Sequence, residues 1–409
     1  MRYELFISLR YLKAKRKQVF ISIITLLSMA GVGLGVMALI IVLSVMSGFE
    51  EDLKKKILGT NAHLVVLQQG AGMRDYPEIL KKVEGAKGVV AATPFIFTQA
   101  MLTSENNVHG IVLRGIDPAT AGKVVNIEST LKKGSLAGLQ KDDGETQPGI
   151  FIGKELAQTL GVMLDDSVVL VSPLGALAPM GAGPPMKKFR VAGIFDTGMY
   201  EYDTSMAYIS LKNAQKFLAM GDTVSGLEVK VEDIYAVKKI GDRIRKDLGF
   251  PFWTKDWMQM NRSLFAALKL ERTVMFIILV LIVLVAAFGI VSSLIMVVME
   301  KNKDIAILKS MGATARSIMR VFILEGVIVG VVGTALGLIG GYGICRILAT
   351  YQFISLPRDV YYISHLPVKM SGMDFFLIAL SAMGISFLAT LYPSWQASKL
   401  DPAEALRYE

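Results

Sequence analysis

Four stretches of this chain, residues 20–46, 273–299, 318–348 and 375–392, are almost free of charge and rich in Ile, Leu, Val, Phe, Ala and Gly. Crossing the roughly 30 Å of bilayer hydrocarbon takes about 20 helical residues. Each window reaches or approaches that length, so the chain is read as a membrane protein with four transmembrane helices. Hydrophobic residues make up 53% of the 409, above the share usual in a soluble domain. The last window is the shortest.

Between the first two windows lie more than 200 residues of ordinary soluble composition, so the fold class expected is four transmembrane α-helices with a large α+β domain inserted between helices 1 and 2. Strands are expected over 95–102, 108–114, 167–171, 188–195, 206–211 and 225–231, the last with Leu227, Val229 and Val231 alternating against Glu228 and Lys230. Helices are expected over 77–83, 154–160, 211–220 and 234–248. A change to Lys, Gly, Asp and Gln over 132–147 suggests a division into two subdomains.

Orientation follows from the bases. Arg2, Arg10, Lys13, Lys15, Arg16 and Lys17 precede the first window, and Lys301, Lys303, Lys309 and Arg316 fill the turn between the second and third. The positive-inside rule then places both termini and that turn in the cytoplasm and the inserted domain outside. The net charge of +9 is largely this topology signal, and nothing in it points to nucleic acid. The segment before the first window, residues 1–19, reads as an amphipathic anchor with Leu5, Phe6, Leu9 and Leu12 on one side.

Three acid-first i,i+4 pairs, Glu50–Lys54, Glu51–Lys55 and Asp52–Lys56, extend the first helix outward beyond the hydrocarbon. Trp257, Met260, Leu264 and Leu268 lead into the second without a breaker and suggest one helix from about residue 256. The outer ends of these two helices, with Met46, Phe49, Leu53, Leu264, Phe265 and Leu268, form a candidate lipid-contacting wall; packing of helix on helix is the alternative.

Three further features stand out. The turn over 300–317 carries Ile305, Leu308 and Met311 at helical spacing among Lys301, Lys303 and Lys309, a short surface helix suited to being held by a partner. The loop over 172–186 joins two strands, has no charge until Lys187 and exposes Leu, Met and Pro, which favours docking on a partner. In the third window Gly326, Gly330, Gly333, Gly337 and Gly341 make a groove for another helix, in this chain or in a second copy. Cys345 reads as a packed small residue. Glu325 is expected near the cytoplasmic interface, paired with a base such as Arg320.

Catalytic constellations are missing. The sequence contains no G-x-x-x-x-G-K-[ST] phosphate loop, no HExxH, no CxxC and no G-x-S-x-G elbow, so neither ATP hydrolysis nor a metal or cofactor is expected on this chain.

The motifs at the two ends and in the turn carry a family resemblance. The opening 6–12, 20–25 and 43–49, the turn 303–314 and the ending 392–407 resemble the permeases of MacB- and FtsX-type ABC transporters, and most closely the LolC/LolE lipoprotein-releasing permeases. That resemblance implies a subunit of the bacterial inner membrane, working with a LolD-like cytoplasmic ATPase and a second permease copy, itself or a LolE-like sister. It would pass lipoprotein substrates from the phospholipid membrane to a LolA-like periplasmic carrier. It further implies that Lys303, Asp304, Ile305, Leu308, Lys309, Met311 and Gly312 form the ATPase-coupling helix. The carrier-binding hook would comprise Pro173, Leu177, Pro179, Met180, Gly181 and Pro184. A MacB-like exporter permease and an FtsX-like signalling scaffold controlling a periplasmic hydrolase are the alternatives. The remaining boundaries expected are an outer region over 47–272, an outer loop over 349–374 and a cytoplasmic tail over 393–409.

Overall fold

In a computed structural model the chain divides into two compact units, one of Met1–Glu50, Ala267–Ile354 and His365–Glu409, the other of Glu51–Ala266 and Ser355–Ser364. The structure describes residues 3–12, 19–70, 72–105, 107–140, 147–172, 184–352 and 365–401.

Four long helices, Val19–Thr60, Arg262–Glu300, Ala315–Tyr351 and Gly372–Ser398, are each long and apolar enough to cross a membrane. The first runs for 42 residues, about 63 Å at 1.5 Å per residue, twice what the hydrocarbon requires. It continues beyond its apolar window, as the acid-base pairs predict, and two of the three pairs form: Glu51–Lys55 at 3.0 Å and Asp52–Lys56 at 3.7 Å. The second helix is interrupted where the sequence suggests continuity. Asp256 caps a single turn, Trp257–Met260, by accepting from the Gln259 amide at 2.7 Å, and Asn261 breaks the helix before it restarts at Arg262. The fourth helix has 27 residues, longer than its apolar window, because Ser386, Thr390, Ser394 and Ser398 lower its hydropathy while lying buried.

The glycine groove of the third helix is filled from within this chain. A Cβ on Gly326 would collide with Thr390, and one on Gly330 would lie 2.5 Å from Ser386 Cβ, both on the fourth helix. Farther along, Gly333 and Gly337 face Met29, Val32, Gly33 and Val36 of the first helix, and Gly341 faces Ile40. Close approach of this kind strengthens dispersion contacts where lipid offers no hydrophobic driving force. Cys345 is buried in the same packing.

Among the described residues ten strands form one mixed sheet in the second unit: β1 (Leu64–Gln68), β2 (Val89–Thr103), β3 (Val108–Ile116), β4 (Leu131–Gly134), β5 (Gly149–Gly153), β6 (Ser167–Val171), β7 (Met186–Phe195), β8 (Met206–Ser210), β9 (Gly226–Val231) and β10 (Phe252–Asp256). The pairings β2–β3, β3–β8, β8–β5, β5–β7, β7–β6 and β6–β2 close a six-stranded ring. Alternate residues of these strands, including Leu102, Leu113, Ile150, Ile152, Leu170, Phe189, Val191 and Ile209, fill one core, the period-2 arrangement of a small closed barrel. Beyond β2 the sheet continues through β9 and β1 to β10, where Tyr76–Glu84 and Val237–Leu248 contribute Val83, Val237, Ile240 and Ile244 to the same core. Strands on both sides of residues 132–147 belong to this sheet, so the polar stretch does not mark a subdomain boundary. A buried pair, Arg114–Glu228, with Arg114 over the Tyr208 ring, ties β3, β9 and β8 together.

Candidate functional site

The turn helix Asn302–Ser310 is formed by a tight exit and re-entry between the second and third long helices. The Ile305 amide donates to Lys301 O at 2.9 Å, and the Ala313 amide closes the far end on Leu308 O at 3.0 Å. Gly312 there has φ +97°, a conformation that favours glycine, and the Thr314 hydroxyl caps the third helix by accepting from the Ser317 amide at 3.2 Å. Gly312 and Thr314 therefore set the geometry of the turn.

The faces of this helix differ from the sequence reading. Ile305 and Ala306 are buried, and Leu308 packs with Ile305 against Val297, Val298, Ile318, Phe322 and Ala397. The apolar groups offered outward are Ile307, 48% exposed, and Met311, 80% exposed, flanked by exposed Lys303 and Asp304. Ile305 and Leu308 are thus an inner face, and the periodicity that ranked Leu308 with Met311 missed Ile307. Lys301, read as solvated, is buried, with its ammonium 3.5 Å from Asp304 and over the Tyr11 ring at 5.3 Å. Lys309 is half-buried and donates to Ser398 O and Leu400 O, at 2.7 and 2.6 Å.

The N-terminal helix Tyr3–Leu12 packs on the third helix with its polar groups inward. Glu4 and Ser8 are buried while Tyr3, Phe6 and Leu9 are exposed, the arrangement of a helix whose outer face meets lipid. Glu4 lies 3.9 Å from Arg320, so Arg320 faces this helix rather than pairing with Glu325, which is buried. Burial, reinforced by the negative charge of Asp304, pushes the Tyr11 phenol up to about 12.

An apolar cleft of about 690 Å³ opens among the first, second and fourth long helices. Leu39, Leu43, Met46, Phe276, Leu377 and Ile378 are among its walls, and Glu50, Arg272 and Asp374 line the end where these helices leave their apolar windows. This size falls in the range of about 300–1,000 Å³ typical of small-molecule sites. Of the six residues read as a lipid-contacting wall, only Met46 lines it. Leu53 and Leu268 are buried, Phe49 is half-buried, and Leu264 and Phe265 pack on the core of the sheet domain, where Phe265 meets the Trp257 ring edge-on at 5.1 Å. Packing on the sheet core accounts for the apolarity of Leu264 and Phe265. The i,i+4 pair Leu39 and Leu43, continued by Met46 and ending on a charge at Glu50, is the signal for the cleft that the sequence reading passed over.

Where the first helix leaves its apolar window, the Lys369 amide donates to Ser44 O at 2.9 Å, and a Cβ on Gly48 would lie 2.5 Å from Pro367 O. The small residues of the 43–49 motif therefore let the chain preceding the fourth helix lie against the first.

The hook residues Pro173, Leu177, Pro179, Met180 and Gly181 lie outside the described residues; Pro184 is described and exposed. The base of this loop is a hairpin. Strands β6 and β7 pair up to Val171 and Met186, and the Ser172 amide donates to Pro185 O at 3.0 Å. Among the described residues no three His, Cys, Asp or Glu side chains stand close enough to hold a metal ion.

Residues 25–247 match the family model described as MacB-like periplasmic core domain, and residues 276–402 match that described as FtsX-like permease C-terminal. The lipoprotein-releasing system transmembrane protein LolC of Xylella fastidiosa is 40% identical, over 98% of this chain and 98% of its own. The corresponding LolE protein of Haemophilus influenzae is 29% identical over 99% of each chain. The solved periplasmic region of MacB from Actinobacillus actinomycetemcomitans is 15% identical, with a TM-score of 0.34, over 51% of this chain and 94% of that one. The similarity to LolC runs through the spans, the inserted sheet domain and the turn, and on that basis the chain belongs to the LolC/LolE family of lipoprotein-releasing ABC transporter permeases.

Proposed function

We propose that this chain is the permease that draws lipoproteins out of the outer leaflet of the bacterial inner membrane and delivers them to a soluble LolA-like periplasmic carrier. A separate LolD-like ATPase in the cytoplasm drives it, and a second permease, this chain again or a LolE-like sister, completes the membrane part. Both termini and the turn helix are cytoplasmic and the sheet domain is periplasmic, in keeping with the distribution of Lys and Arg. The observation that carries this reading is the end-to-end similarity to LolC, 40% over 98% of both chains.

The energetics favour such a division of labour. Exposing an acyl chain to water costs about 0.8 kcal/mol per CH₂, so bare release of several chains costs tens of kcal/mol. An apolar cleft beside the outer ends of the helices, a carrier held close and an ATP-driven stroke each lower that barrier. Residues 172–186 form the carrier hook, with Met180 at its centre, and Ile307 and Met311 present the apolar contact for the ATPase.

Photocrosslinking in cells from a reactive residue at position 180 tests the reading. Capture of a small soluble lipoprotein carrier is expected. Capture of a cell-wall hydrolase instead would favour a signalling scaffold, and self-contacts alone would remove the hook assignment.

A further inference from the structure

Lys309 occupies the last turn of the turn helix, where the sequence reading assigns it to the ATPase. Its ammonium is engaged elsewhere. Nζ donates at 2.7 Å to the carbonyl of Ser398, the last residue of the fourth long helix, and at 2.6 Å to that of Leu400, two residues beyond it. The last carbonyls of a helix have no intrahelical donor and carry the negative end of its dipole, so a cation there gains both hydrogen bonds and favourable charge. Beside it Ala397 is fully buried in the cluster that also holds Ile305, Ile318 and Phe322. The turn helix is joined covalently to the second and third long helices; Lys309 joins it to the fourth.

We propose that Lys309 is a positioning residue that ties the turn helix to the end of the fourth helix, so that displacement of the turn by the ATPase also moves a wall of the apolar cleft. The fourth helix supplies Asp374, Leu377, Ile378, Ser381, Ala382 and Ile385 to that cleft, and the link adds two directed hydrogen bonds to the apolar packing of the turn on Ala397. This inference rests on the permease reading and deepens it: the turn helix divides into an outward face, Ile307 and Met311, that receives the force, and an inward cation that passes it on.

The test compares Lys309→Met, which keeps the stem and removes the donors, with Lys309→Arg, which restores donors and charge. Both are purified with the ATPase and reconstituted in vesicles containing an acylated lipoprotein, with the soluble carrier outside. Lys309→Met is expected to retain ATPase capture and ATP hydrolysis while release falls about tenfold or more, the loss appropriate to hydrogen bonds made by a charged group. Lys309→Arg is expected to recover most of it. A second measurement does not depend on transport. Spin labels at exposed Ser310→Cys and Gln396→Cys, with Cys345→Ala, should give a narrow distance distribution that broadens with Lys309→Met and narrows again with Lys309→Arg. Loss of ATPase capture in Lys309→Met would make Lys309 a docking contact and overturn the proposal, as would full release or an unbroadened distribution. Absence of release by the unsubstituted protein would count against the permease reading and leave the spin-label result to decide the link.

Discussion

Asp203 shows how a single side chain in the sheet domain answers to pH. It is buried, and its Oδ1 accepts from the Thr197 amide and the Thr197 hydroxyl, each at 2.8 Å. Burial outweighs those bonds and raises the carboxyl to about 6. The folded state then holds the proton more tightly than the unfolded chain, so the stabilising contribution is fully present below the unfolded value near 3.8 and is lost as pH rises through 6. At pH 7.5 the domain carries an ionised buried carboxylate at a cost of about 1–3 kcal/mol. Asp203→Asn keeps an acceptor for Thr197 and removes the charge. Its denaturation midpoint, followed by tryptophan fluorescence of the purified full chain, should exceed that of the unsubstituted protein at pH 7.5, and the difference should shrink toward pH 4. His63, whose value burial lowers, destabilises the fold as pH falls below about 6.5, but it does so in both proteins and cancels in the comparison. A pH-independent difference would place the effect of Asp203 outside its ionisation.

At the scale of elements, the turn helix shows what periodicity alone can and cannot tell. The segment, its charge and its helical character were legible because Ile305, Leu308, Met311 and the intervening lysines follow a 3.6 period. Which stripe faced inward was not, because the third and fourth long helices supply the covering residues Ile318, Phe322 and Ala397 from far along the chain. The same limit explains the strands. Residues 167–171 and 226–231 alternate or run apolar between turn signals and were readable, whereas β1, β5 and β10, no shorter than β6, take their place through neighbours in the sheet. The break at Asn261 rests on a capping pair, Asp256 and Gln259, hidden inside an otherwise helical pattern. The stretch 172–186 stands out in the sequence only by its lack of charge and by the family resemblance. The corrected faces of the turn make a paired prediction. Ile307→Asp should abolish co-purification of the ATPase while leaving the thermal stability of the permease within about 0.5 kcal/mol of the unsubstituted protein, as for an exposed site. Leu308→Asp should lower that stability by about 2 kcal/mol or more, since it buries a charge against Val298 and Phe322. Equal effects of the two on stability would mean that the inner and outer faces are misassigned.

At the scale of the molecule, the division into two units does not follow the ends of the apolar windows or of the strands. Ile57 of the first long helix and Trp257 after β10 belong to the core of the sheet, with Leu58, Leu264 and Phe265 packed against it. Polar contacts hold the same helix end: Lys54 Nζ donates to Tyr235 Oη at 2.7 Å, Asn61 Nδ2 to Tyr202 Oη at 2.8 Å, and Lys56 Nζ to Gly198 O at 3.3 Å. The helix ends on either side of the sheet are therefore part of its fold, although a spacer reading of the sequence would leave them outside. Truncating one buried Trp alone costs about 3–5 kcal/mol against a total stability of about 5–15 kcal/mol. A soluble fragment of residues 51–266 should accordingly unfold in a single cooperative transition, and one of residues 64–256, cut at the strand ends, should melt at a distinctly lower temperature or stay unfolded. Circular dichroism of the two fragments settles it: equal midpoints would make the helix ends mere spacers and leave Trp257 and Ile57 without a structural role in the domain. A lower midpoint for the short fragment means that Ile57 and Trp257 complete the core of the sheet.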